Sequence, residues 1–289
     1  MPSTQIHLLL VDPQNDFCDL PDRYRPEDPA KPAPARLAPA LPVPGAHADM
    51  QRLAALVERC GSRLSDITVT LDTHLRLDIA HPDFWMMPDG ALASPFTQIR
   101  ADDVRSGRLL PRDSSATPRV LQYLDALAAS GRHQHMIWPV HCEVGTWGHA
   151  VHADLHAACA RWESRSLRHV GWVNKGINPW TEHFSAIRAE IPDREDPTTQ
   201  TNQGLLARLR QADRLLIAGE AGSHCVKATT EHIVEACTPE ARARIVLLSD
   251  GMSPVAGFEA NQQAFLEDMT AAGLRVTTTA AMSEELLHD

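Results

Sequence analysis

Residues 214–236 read RLLIAGEAGSHCVKATTEHIVEA. After Arg214, residues 215–218 are a short apolar run with no polar alternation, the pattern of a strand buried on both faces. GEAGS (219–223) is a turn, and residues 224–236 follow as a helix. A strand, a tight turn and a helix in 23 residues is the unit of a parallel α/β sheet. The unit also puts Cys225 in the first turn of the helix, where unpaired amides and the helix dipole favour a negative group.

The same alternation extends outward from this stretch. Upstream, 5–11 (QIHLLLV) and 67–71 are apolar runs ending at Asp12 and Asp72. Between them, 48–60 carries Met50, Leu53, Leu56 and Val57 at helical spacing, with Gly61 as its stop. Thr117-Pro118 opens a helix through 129, stopped at Gly131. Strands are expected at 135–138 and at 169–174, the latter ending in Lys175-Gly176, with helices at 148–161 and 205–211. Downstream come strands 245–248 and 274–277 around a helix at 259–272. The pattern predicts α/β architecture: a six-stranded, mostly parallel sheet with helices on both faces. Residues near 20–44 are Pro-rich and 86–116 mix Gly, Pro, Ser and Arg. Neither shows its own apolar period, so both read as irregular insertions in a single domain over 1–289, forming a lid or an oligomer contact.

Composition narrows the function. The formal net charge of -10 excludes the basic face that a nucleic-acid partner requires. No apolar run approaches the roughly 20 residues of a membrane helix, and no secretory leader is visible. The six cysteines are scattered without a CxxC pair, which reads as reduced thiols and a cytoplasmic location.

Ligands of open parallel sheets bind at the carboxyl ends of the strands. The polar residues there are Asp12, Asp72, His74, His141, Lys175 and Cys225. A free Cys is commonly just a small buried apolar group, but the strand–turn–helix context makes Cys225 a candidate nucleophile. Asp12 suits a proton acceptor for that thiol. Lys175 would orient the carboxylate and favour the thiolate. Asp72-Thr73-His74 projects two metal-ligand types to one side of an extended segment, with His81 and His141 as further imidazoles. That donor set suits a divalent ion of zinc or iron type. His7, His133, His135 and His152 read as structural or surface residues.

Five motifs, in order along the chain, resemble one family. They are VDPQNDFC (11–18), TLDTH with a later His (70–81), WPVHCEVGT (138–146), VNKGINPW (173–180) and AGEAGSHCVKAT (218–229). Together they look like the isochorismatase-like cysteine hydrolases, most closely the nicotinamidases. The resemblance implies a three-layer α/β/α fold and an Asp12–Lys175–Cys225 triad. It implies a metal site of Asp72, His74, His81 and His141, holding zinc or alternatively iron or manganese. It also implies that Phe17 and Trp138 flank the substrate ring. A cis peptide would join Glu220 and Ala221, with the amides of Ala221 and Cys225 forming an oxyanion hole. The chain departs from the family in longer stretches after Cys18 and between His81 and Trp138, and in HPDFW where HxSF is usual.

The implied reaction is hydrolysis of nicotinamide to nicotinate and ammonia through a thioester. The partners are a small-molecule amide and a second copy of the chain in a homo-oligomer, with no nucleic acid and no membrane. One alternative is a related amidase acting on a carbamoyl or ureido substrate. Another, of a different class, is a catalytically silent metal-binding or scaffold protein, in which Cys225 would react no faster with iodoacetamide than the other thiols.

Overall fold

The computed structural model describes residues 4–288. Six strands form one parallel sheet, in the order Arg275–Thr277, Ile245–Leu248, Arg214–Gly219, Ile6–Val11, Asp66–Asp72 and Gly171–Lys175. Alternate residues of the central strand enter different cores. Leu8 and Leu10 pack with Met50, Leu53 and Val57 of helix Ala46–Cys60. Leu9 and Val11 pack with Val226 and Ile233 of helix Cys225–Glu235 and with Phe265 of helix Glu259–Ala271. A period of two with both faces apolar gives helices on both sides and hence three layers.

Two close approaches depend on glycine. Gly219 faces Val11 across the sheet at a φ of 123°, and a Cβ there would lie 1.9 Å from the Val11 carbonyl oxygen. Gly148 lies so close to Asp16 that a Cβ would fall 2.0 Å from Asp16 Oδ2.

Three expectations need correction. The run expected as a strand at 135–138 does not join the main sheet. His135–Ile137 pairs antiparallel with Thr97–Ile99 in a separate ribbon. The helix expected at 148–161 is Ala153–Ser166. Its start is displaced because Gly148 and Ala150 carbonyls accept the Asp16 and Asn15 amides and the His152 amide goes to Pro13, so these groups are committed elsewhere. The stretch 86–116 is not simply irregular. It contains helix Ala101–Arg105, and Ile99, Val104 and Leu109 enter a third core with Ile79, Trp85, Val120, Leu124 and Ile137. A C-terminal helix, Thr279–His288, was not read from the sequence; Met282 and Leu286 bury its inner side against the first core. Residues 21–44 carry a short 3-10 turn, Asp22–Tyr24, and isolated bridges Glu27–Arg36 and Cys18–Val43, with no helix or strand of their own. Among the described residues no helix is long and apolar enough to cross a membrane.

Candidate active site

Strand register assembles the charged centre. Asp72 stands directly opposite Lys175 on the neighbouring strand, and Val11, the residue before Asp12, stands opposite Gly219. The Lys175 ammonium therefore reaches two carboxylates: Asp12 Oδ2 at 2.9 Å and Asp72 Oδ1 at 2.8 Å. It also donates to the His183 carbonyl at 2.9 Å and lies 3.7 Å from Cys225 Sγ. Asp12 sits at a φ of 44°, a left-handed conformation that Asp tolerates better than most residues. Its amide donates to Thr70 O, and the Thr70 hydroxyl donates to Asp12 Oδ1 at 2.6 Å. Gln14 clamps the adjacent strand end, accepting from the Asp72 amide at 2.7 Å and donating to the Asp72 carbonyl at 2.8 Å.

Asp12 (0%), Lys175 (3%) and Cys225 (6%) are shut off from solvent, and burial dominates their electrostatics. Burial raises Asp12, opposed chiefly by Lys175. Burial also pushes the Cys225 thiol well up, against the pull of Lys175 and with the carboxylates of Asp12 and Asp72 adding to the rise. Lys175 was expected to favour the thiolate. It pulls in that direction, but desolvation wins, so the resting sulfur keeps its proton. Lys175 itself is held well above its ordinary value: burial works against its charge, and the carboxylates of Asp12 and Asp72 outweigh it.

Beside this centre, the ligand atoms of His74, His81 and His141 all lie within 4.8 Å of one another, each residue buried. Asp72 Oδ2 is 3.0 Å from His74 Nε2 and 3.3 Å from His141 Nε2. The opposite ring nitrogens meet outer acceptors. His74 Nδ1 faces Asp78 Oδ2 at 3.1 Å, His81 Nδ1 the Leu75 carbonyl at 3.2 Å, and His141 Nδ1 the Pro139 carbonyl at 2.8 Å. Such partners suit a proton on Nδ1, which frees Nε2 for a bound cation; without one, burial is outweighed by Asp72 and Asp78, which hold His74 well above its ordinary value. His81, driven down to about 2 by burial and by its two imidazole neighbours, is a neutral donor. The four residues therefore fit a divalent cation with nitrogen and oxygen preference. Asp72 joins the two halves, one oxygen on Lys175 and the other on the imidazoles.

Aromatic rings wall the site. Phe17 packs edge-on to His141 at 5.5 Å, and Trp138 packs edge-on to His224 at 5.4 Å. The structure thus brings Asp12, Asp72, Lys175 and Cys225 together, sets His74, His81 and His141 beside Asp72, and places Phe17 on His141 and Trp138 on His224. Glu220 and Ala221 are joined by a cis peptide, and the Ala221 carbonyl accepts from His224 and Val226 at the head of the Cys225 helix. Sequence reading missed Asp78, Thr70, Gln14, the His183 carbonyl, and the rings of His224, Phe184, Phe258 and Phe96. Phe184 and Phe258 flank His224 at 5.6 and 4.7 Å, and Phe96 of the inserted stretch packs on Trp138 at 6.1 Å. Only Gln14, Thr70 and His224, inside quoted motifs, carried a signal; the others come from turns and insertions without a pattern.

No family model and no curated protein matches the chain. Solved structures do. A nicotinamidase/pyrazinamidase of Acinetobacter baumanii superposes with a TM-score of 0.62 at 18% identity, covering 98% of this chain and 100% of that one. The yeast nicotinamidase Pnc1p, bound to the inhibitor nicotinaldehyde, gives 0.61 at 20% identity over 95% and 100%. A pyrazinamidase of Pyrococcus horikoshii in complex with zinc gives 0.54 at 17% identity over 95% and 99%. The chain shares the fold of these proteins along nearly its whole length.

Proposed function

We propose that this chain is a metal-assisted cysteine amidohydrolase that converts nicotinamide to nicotinate and ammonia. One observation carries the reading: a thiol, an ammonium and a carboxylate meet in a buried centre, and Asp72 ties that centre to a three-imidazole cluster. The fold shared with nicotinamidases supports it. Residues near 20–44 and 86–116 are read as insertions within one hydrolase domain.

In the first half-reaction Asp12 takes the Cys225 proton as the sulfur attacks the carboxamide carbon. Burial raises both groups, so this transfer exchanges one buried anion for another beside Lys175, rather than creating a new charge. The amides of Ala221 and Cys225 are assigned to the oxyanion. Asp12 then gives its proton to the departing ammonia, leaving a thioester. In the second half Asp12 deprotonates the water that cleaves the thioester, and the thiol is regenerated. Lys175 holds both carboxylates in place throughout. His74, His81, His141 and Asp72 would hold the divalent cation, which supplies Lewis acidity to an acceptor atom of the substrate. Phe17 and Trp138 would sandwich the ring.

The deciding measurement is ammonia release from nicotinamide by wild type and Cys225→Ala. The variant should lose at least about 10³-fold in kcat/KM while keeping its fold; equal rates would end the reading. A carbamoyl or ureido amide is a second possibility, favoured by Phe96, which brings the insertion onto Trp138. A substrate panel separates the two.

A further inference from the structure

Glu220 carries a carboxyl that this chemistry leaves unused. It is wholly buried (0%). Its Oε2 accepts from the Ser253 amide at 3.2 Å, while Oε1 has no hydrogen-bond donor facing it. A second buried acid, Asp49, lies beside it. The Ser253 hydroxyl donates to Asp49 Oδ2 at 2.6 Å, so one serine grips both carboxyls, its amide on Glu220 and its hydroxyl on Asp49. Two ionised carboxylates held by one serine inside a protein repel strongly, so one keeps a proton. Arg52 pairs with Asp49, and no cation pairs with Glu220 among the described residues. The proton therefore belongs on Glu220, and an O–H at Oε1 directed to Asp49 gives the orphaned atom its partner. The other titratable groups near the pair are Cys18 and Asp19, and neither brings positive charge. Burial first, and then Asp49, push Glu220 well above the usual carboxylate range.

The position of this pair matters because Glu220 directly precedes Ala221. The loop 220–223 is tied to segment 253–255 by Gly222 N donating to Ser253 O (2.9 Å) and Val255 N donating to Ser223 Oγ (3.0 Å). Arg52 reaches from helix Ala46–Cys60 to the Asp250 carbonyl at 2.6 Å. Ser253 thus ties that helix, through Asp49, to the loop feeding Cys225, through Glu220.

We propose that Glu220 is a positioning residue: as a carboxylic acid hydrogen-bonded to Asp49 it latches loop 220–223 against helix Ala46–Cys60, and losing its proton to solvent at alkaline pH opens the latch. The catalytic consequence rests on the amidase reading; the latch itself does not. An acid raised by folding contributes stability that is complete below its unfolded pKa and is lost as pH climbs toward the folded value. Glu220→Gln keeps a donor toward Asp49 but cannot ionise. Thermal unfolding of the full chain from pH 5 to 9.5 should therefore show Glu220→Gln gaining on wild type as pH rises, by on the order of 3 °C or more across the range. Asp49→Asn, which removes the repulsion from the other side, should flatten the wild-type curve in the same sense, and reads the latch if the first variant does not fold. Parallel curves for wild type and the variants overturn the proposal. In the ammonia assay the alkaline limb of kcat should move up by about one pH unit in Glu220→Gln with KM little changed; an unmoved limb overturns its catalytic part. The unfolding measurement uses no substrate, so failure of the latch and failure of the amidase reading are distinct results.

Discussion

At the scale of single residues, the centre is governed by desolvation. Asp12, Asp72, Lys175 and Cys225 are all nearly inaccessible, and one ammonium lies against two carboxylates. Removing either partner of such a group leaves an uncompensated charge, so substitutions here act on chemistry and on stability together. Asp12→Asn is the informative change. It keeps the shape and an acceptor for the Thr70 hydroxyl but cannot take the thiol proton. We expect kcat to fall by about 10²–10⁴-fold, with Cys225 slower to alkylate with iodoacetamide. A variant retaining near-wild-type turnover would remove Asp12 from the proton path. Asp12, Asp72, Lys175 and Cys225 were legible in the sequence because each lies at a strand end or opens a helix. Asp78 was not, since its contact with His74 is made by a loop without periodicity. Nor was the net direction at Cys225, because burial is a property of the packed molecule.

At the scale of elements, the inserted stretch supports the metal-ligand loop. Ile79 sits two residues before His81 and is fully buried in the third core. Its carbonyl accepts from Trp85 Nε1 at 2.7 Å and meets His135 Nε2 at 2.9 Å, and its amide donates to Pro179 O. Helix Thr117–Ser130 closes that core through Val120, Tyr123, Leu124 and Leu127. Leu124→Ala, which opens a cavity there, should cost about 2–5 kcal/mol and weaken zinc binding in a competition titration. Unchanged zinc affinity in a destabilised Leu124→Ala protein would show that the loop holds its shape without the insertion. The sequence showed helix 117–129 from its Pro and Gly boundaries. It did not show the ribbon formed by Thr97–Ile99 and His135–Ile137, because three-residue strands are too short for an alternation to register.

At the scale of the whole molecule, the imidazole cluster should couple cation binding to folding. The three histidines come from residues 74, 81 and 141, which an unfolded chain does not hold together. A cation that binds only the folded form stabilises it by about 2.7 kcal/mol at a hundredfold excess over Kd. Zinc added to chelator-treated protein should therefore raise Tm by several degrees, and His81→Ala should abolish most of that rise. An unchanged Tm would mean that the cluster binds no such ion.

By itself the sequence determined the strand–helix alternation, the parallel sheet and the choice of candidate residues. These follow from apolar period, turn residues and strand ends, which are local. Only the tertiary structure decided where the run at 135–137 pairs, where the helix after Gly148 begins, and that 86–116 contributes to a core. It also decided that Glu220 lies against Asp49. Each of these depends on which distant backbone or side chain reaches a group first, and a register or a buried contact between remote segments leaves no mark on the spacing of residues along the chain.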